Sequence, residues 1–255
     1  MPTGMYSPSG EVPQGPAQGQ APMNPASNSD SLAELNRLLA QISREGHVDM
    51  TVGGLHRAVD SDCATIEILV RDTEGTLLTE LRIVLDGVLE FAIDQDEFGM
   101  LEVAAPGHPL LWPYVEPGAE LYFYTPADDV GHVIACLYEA HTDVVDGWYS
   151  LGRFTNKLLP LHQLLASPRG LLASGPLPLI VGYEVILKDA GVECSVLNSG
   201  VRRWPVLRRP DPEGSQPVAL LMGTSYVIAR SLASVESRAV NIAFTEDDNN
   251  PVTVD

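Results

Sequence analysis

From Thr65 to Val70 apolar residues recur with a period of two, and a segment patterned this way buries one face as an extended strand. Ile66, Ile68 and Val70 form the first apolar file, Glu74-Gly75 supplies a turn, and Leu77 to Leu85 continues in β-type composition. Asp86-Gly87 is a strong hairpin signal and should fold Val88 to Ile93 back on the strand before it. The expected fold class is therefore α+β: an antiparallel meander in the first half, mixed helices and short strands in the second, behind a disordered N-terminal tail.

The rest of the chain fills in that frame. Met100 to Val103 and Glu120 to Tyr124 read as strands, joined by a Pro-rich connection and stopped at Thr125-Pro126. Val130 to His141 predicts a helix with Val133, Ile134, Leu137 and Tyr138 on its apolar face and Asp128-Asp129 complementing its positive end. Trp148 to Phe154 reads as a strand, and Leu158 to Leu165 as a helix with Pro160 in its first turn. Leu177 to Ala190 predicts a helix closed by Gly191, followed by a strand from Val192 to Leu197. Val218 to Met222 suggests a strand and Tyr226 to Val235 a helix.

At the N-terminus, residues 1–28 carry six prolines among Gly, Ser, Gln and Asn, too few large apolar side chains to offset the entropy of ordering. Order should begin near Ser29-Asp30-Ser31, where capping residues precede the apolar stripe Leu32, Leu35, Leu38, Leu39 and Ile42, Ser31 and Glu34 have the form of a capping box, and Gly46 should end that helix. One globular domain is expected over 29–244, divisible into an acidic, strand-rich lobe (46–125) and a mixed, mildly basic lobe (126–244). An acidic disordered end follows over 245–255. With 255 residues, 45% of them hydrophobic, a core can be buried without disulfides or metals. The three cysteines, Cys63, Cys136 and Cys194, are widely spaced and odd in number, which suits a reducing compartment. No leader peptide or membrane-spanning run is visible, and a cytoplasmic location is expected.

Charge is segregated along the sequence. Residues 46–149 hold three arginines against eleven Asp and nine Glu, a balance of −17, whereas residues 150–240 carry eight Arg and two Lys against six acids, a balance of +4. With a net charge of −19, direct binding of nucleic acid by a basic patch and binding to anionic membranes are both disfavoured. A basic protein partner is favoured instead. Arg202, Arg203, Arg208 and Arg209 cluster around Trp204, where they can either neutralise carboxylates of the first lobe or form a recognition patch for carboxylate or phosphate. On the acidic side, Asp94, Asp96 and Glu97 mark the candidate partner-binding turn. That turn opens like a calcium loop but supplies Phe98 and Ala105 where oxygen ligands are required, so it reads as a solvated acidic turn.

No short motif points to chemistry. His132 and Cys136 are four apart on a predicted helix, with Glu139 and His141 beyond, but no second ligand pair accompanies them, and no metal or cofactor is assigned. Cys194 lacks the surroundings of a thiol nucleophile, because Glu193 beside it opposes the thiolate. Both cysteines read as small core residues. The function expected is a non-enzymatic interaction module, adaptor or chaperone-like, whose acidic surface binds a basic protein. The alternative is an enzyme of an unfamiliar family with His141, His162 or Cys194 as reactive groups and the arginine loop as anion holder. Imitation of DNA by the acidic half follows from the same charge argument and ranks last.

Overall fold

The computed structural model describes residues 28–44, 47–57, 62–94, 97–198 and 216–239. The N-terminal tail, the helix stop at Gly46, Asp96, the cluster from Arg202 through Trp204 to Arg209, and the acidic C-terminal end lie outside the described residues. Among the described residues the fold is α+β, with five α-helices and ten strands.

The chain opens with α1 (Asn28–Ile42) and then runs through β1 (Val48–Arg57), β2 (Cys63–Asp72) and β3 (Leu77–Ala92). These three strands form an antiparallel meander, the arrangement expected of the first half, with β1 as a strand the sequence reading does not include. Two short strands follow, β4 (Glu97–Phe98) and β5 (Leu101–Val103), then α2 (Trp112–Val115) and β6 (Gly118–Phe123). Next come α3 (Val130–Val145), α4 (Leu161–Leu165), β7 (Gly170–Pro176), α5 (Leu177–Asp189) and β8 (Cys194–Asn198). The last strands are β9 (Val218–Met222) and β10 (Ser225–Ala239). A seven-stranded antiparallel sheet has the order β4-β1-β2-β3-β10-β9-β5, and a three-stranded sheet the order β7-β6-β8. Both halves of the sequence therefore build the large sheet, since β9 and β10 return to it beside β3.

Two cores result. On one face of the large sheet, Leu35, Leu38 and Ile42 of α1 pack with Ile66, Ile68 and Val70 of β2 and Leu81, Ile83 and Leu85 of β3, which is the alternation read from the sequence. The second core lies between the small sheet, α3 and α5, and takes in Ala219 and Leu221 of β9 with Tyr226 and Ile228 of β10. Val218, Leu220 and Met222 of β9, and Val227 and Ala229 of β10, point into the first core. The β9-β10 pair is thus a wall shared by both cores, and all five residues of β9 are buried.

That shared wall explains one failed expectation. Tyr226 to Val235 is a strand rather than a helix, because a strand buried on two faces loses its alternation and reads as a continuous apolar run. A second correction concerns Asp86-Gly87, which lies inside β3 and not at a hairpin. Gly87 adopts φ +62° and lies under the stem of Arg230, where a Cβ would come within 2.8 Å of Arg230 Cδ. The register with β10 skips one residue, Leu89, between Val88 and Glu90. The glycine and this bulge bend β3 without ending it.

At the other end of the chain the capping box does not form. The helix starts at Asn28, and Ser31 is buried within it, donating its hydroxyl to the Ala233 carbonyl at 3.0 Å. The Leu232 amide donates to Asn28 Oδ1 at 2.9 Å, so two side chains of α1 satisfy backbone groups of β10 beside a second register shift. Glu34 pairs with Arg37 instead.

Two expectations in the second half also need correction. Trp148 to Phe154 is not a strand: α3 runs on to Val145, Asp146 and Gly147 turn the chain at positive φ, and a 3-10 turn spans Leu151–Arg153. Its aromatic residues act as separate anchors, with Trp148 edge-on to Tyr226 and Tyr149 edge-on to Phe154. Pro160 caps α4 rather than entering it, which leaves Leu158 88% exposed ahead of the helix.

Candidate functional site

The densest polar constellation joins the large sheet to the second core. Glu90 lies on β3 opposite Ile228, and the Arg153 guanidinium donates to both its oxygens, Nη1 to Oε1 at 2.5 Å and Nη2 to Oε2 at 2.7 Å. Tyr226 donates its hydroxyl to Oε1 at 2.8 Å, and Tyr114 donates to Oε2. The guanidinium also lies over the Tyr149 ring, 4.1 Å from its centre, while the Tyr149 hydroxyl donates to the Leu110 carbonyl at 2.7 Å. Burial alone would raise the Glu90 carboxyl. The hydrogen bonds from Arg153, Tyr114 and Tyr226, with the adjacent positive charge, outweigh burial and hold it below the ordinary carboxylate value. Burial likewise raises Tyr114, Tyr149 and Tyr226. A carboxylate held ionised by four donated hydrogen bonds is a poor proton acceptor. The cluster is a structural junction between the two cores.

The candidate reactive groups do not assemble. His141 falls on the buried stripe of α3 with Val133, Leu137 and Val145. Its Nε2 donates to the Tyr149 carbonyl at 2.6 Å and its Nδ1 accepts from the Tyr183 hydroxyl at 2.7 Å, so both ring nitrogens are engaged and burial holds the imidazole pKa down. His162 is exposed on α4. Cys194 is half-buried, its thiol facing the Glu184 carbonyl at 3.8 Å and pushed up in pKa by burial and by Glu184. Among the described residues, no three His, Cys, Asp or Glu side chains converge to hold a metal ion.

Of the acidic candidates, Asp94 is exposed just past the end of β3, its amide donating to Ser225 Oγ at 2.9 Å. Glu97 is exposed on the outermost strand of the large sheet, opposite Thr51. A larger acidic surface lies on α3 and at its two ends. Asp128, Asp129, Glu139, Asp143 and Asp146 are all exposed, and the helix contains no Lys or Arg. Asp129 is its N-cap and accepts from the His132 amide at 2.9 Å. Tyr138, expected on the apolar face, is 63% exposed among these carboxylates. The buried stripe at Val133, Leu137, His141 and Val145 could have shown this, because Tyr138 lies off it. Cys136 is likewise half-buried and outside both cores, its Sγ 3.6 Å from His132 Nε2.

Two arginines of the second stretch neutralise carboxylates of the first: Arg153 on Glu90, and Arg230 with Asp62 at 3.8 Å. Among the described residues no helix is long and apolar enough to cross a membrane. No protein family, curated protein or solved structure matches the chain.

Proposed function

We propose that this chain is a non-enzymatic protein-interaction module, adaptor or chaperone-like, that captures a basic protein surface. The observation that carries the reading is the solvent face of α3, where Glu139, Asp143 and the C-cap Asp146 are exposed beside Tyr138 on a helix without Lys or Arg. Carboxylates at this density steer a cationic partner, and an exposed tyrosine supplies rigid contact area once it arrives. Glu97 adds negative charge at the outer strand of the large sheet and Asp94 at the end of β3. A cytoplasmic setting suits the chain, since Cys63, Cys136 and Cys194 are all free thiols.

The test is affinity capture from the native lysate at low and high ionic strength, comparing the wild type with Glu139→Arg/Asp143→Arg and with Tyr138→Ala. Basic proteins retained at low salt, released at high salt and lost from the charge-reversed variant are the expected result. Capture that ignores the charge reversal rules out α3 as the binding face, and the absence of any salt-sensitive partner removes the proposal.

A further inference from the structure

We infer that the exposed bend at 157–160 and the acidic face of α3 are the two halves of one self-complementary interface, through which two copies of this chain pair about a two-fold axis. The bend carries the most exposed large apolar side chain among the described residues: Leu158 is 88% exposed and Leu159 44%. Hydrogen bonds hold it in that position. The Asn156 amide donates to the Leu172 carbonyl at 2.8 Å, Asn156 Nδ2 donates to the Leu171 carbonyl at 2.9 Å, and Asn156 Oδ1 accepts from the Leu158 amide at 2.9 Å. An apolar side chain fixed in solvent loses little further freedom when a partner covers it. The charge around it is also unlike the rest of the chain, since residues 147–183 contain no Asp or Glu. Lys157 and Arg169 are exposed there, and among the described residues neither is paired with a carboxylate.

The surface that fits this one sets carboxylates around an exposed apolar ring, and α3 presents it. Glu139 and Asp143 are exposed on that helix, with Tyr138 63% exposed. The bend leads directly into α4, which packs against α3, yet within one chain Lys157 makes no ion pair with α3. A two-fold axis sets each bend against α3 of the other copy, so the contact is made twice and the assembly closes. Leu158 and Tyr138 then supply the desolvated contact, and Lys157 and Arg169 against Glu139 and Asp143 fix its register. An anionic membrane suits the bend less well, because the carboxylates of α3 would approach the same lipid surface. At an ionic strength of about 0.15 M, exposed charges more than about 8 Å apart are largely screened, so the net charge of −19 does not prevent the pairing. The inference rests on α3 as an acidic capture face and names a second copy as one cationic surface that it takes.

Sedimentation velocity of the full-length chain over a concentration series, at about 0.15 M salt, tests the pairing. The expected result is a reversible shift from one chain to two, with no larger species. Leu158→Ser should weaken association by about tenfold or more, the value of one leucine side chain no longer buried. Lys157→Glu/Arg169→Glu and Glu139→Arg/Asp143→Arg should each be monomeric, and an equimolar mixture of the two should dimerise, because the reversed bend meets the reversed helix. A wild type that stays monomeric, a dimer indifferent to Leu158→Ser, a mixture that fails to recover, or growth beyond two chains overturns the assignment. Should a variant misfold, zero-length carbodiimide cross-linking of isotope-labelled with unlabelled wild type decides. Lys157 is one of only two lysines, and a mixed-isotope peptide joining it to Glu139 or Asp143 is expected; its absence refutes the interface. A monomer that still captures basic lysate proteins through α3 refutes the pairing alone, whereas a dimer that captures none supports the pairing and removes the broader reading.

Discussion

Arg153, in the 3-10 turn after α3, holds Glu90 of β3 through two parallel hydrogen bonds of 2.5 and 2.7 Å, tying the second core to the large sheet. Both side chains are about four-fifths removed from solvent, with exposures of 21% and 20%. Removing one partner strands the other charge in a poorly solvated site, at a cost of about 3–5 kcal/mol. Arg153→Met and Glu90→Leu should each lower stability by that order in urea unfolding. The double variant should recover part of the loss, since replacing both charges by apolar groups strands neither. A double variant as unstable as the two single losses added together would show that the pair is not coupled.

Glu90 also sets an acid limit. Its folded pKa lies below the ordinary carboxylate value, so the unfolded chain binds its proton first as pH falls. The stability it contributes is full above the unfolded Glu value near 4.3 and is lost as pH drops from there through the folded pKa. The melting temperatures of wild type and Glu90→Gln should therefore converge as the solution is acidified through that window.

His141 acts in a higher window with the same sign. Its folded pKa is held down by burial, so below about pH 6.5 the unfolded state takes up a proton that the folded state resists. Stability should be full above that pH and decline on acidification toward the folded pKa. In His141→Gln this part of the pH dependence should flatten, measured by thermal unfolding between the neutral and mildly acidic ranges, even though the variant is less stable overall.

Gly87→Ala should destabilise the fold by about 1–3 kcal/mol for the left-handed backbone alone, and by more for the contact of its Cβ with Arg230. Pairing it with Arg230→Ala should relieve the second contribution and leave the first. Urea midpoints of the three variants separate the two. A Gly87→Ala protein as stable as wild type would mean that β3 does not need a left-handed backbone there.

Ser31→Ala should cost about 1 kcal/mol, the net value of one hydrogen bond, because it removes the donor to the Ala233 carbonyl. Hydrogen exchange at the Leu232 amide, held by Asn28, should quicken in Asn28→Ala and change less in Ser31→Ala.

The sequence was most legible where one face of an element meets a core and the other meets water. Ile66, Ile68, Val70, Leu81, Ile83 and Leu85 alternate because only one face of β2 and β3 is buried, and α3 announced itself through Val133 and Leu137. Legibility failed where this asymmetry disappears. Tyr226 to Ala229 is apolar on both faces, and no period distinguishes such a strand from a helix. Gly87 carries the residue signature of a tight turn, yet its positive φ lies within a continuous strand, beneath the side chain of Arg230 more than 140 positions away. The junction around Glu90 left no local trace either, since its members Glu90, Tyr114, Arg153 and Tyr226 are scattered through the sequence and meet only in the fold. Of the acidic residues, charge counting located the region, but only the helix geometry separated the exposed carboxylates of α3 from Glu120, which is buried on β6.

Because β9 and β10 present alternate side chains to opposite cores, neither half of the molecule owns its inner boundary. Cleavage ahead of Val218 would take away a lining from each side at once, and the residual fragment would expose Ile66, Ile83, Leu121 and Leu179 together. Melting should therefore proceed as one cooperative event, and neither half should survive as an independently expressed piece.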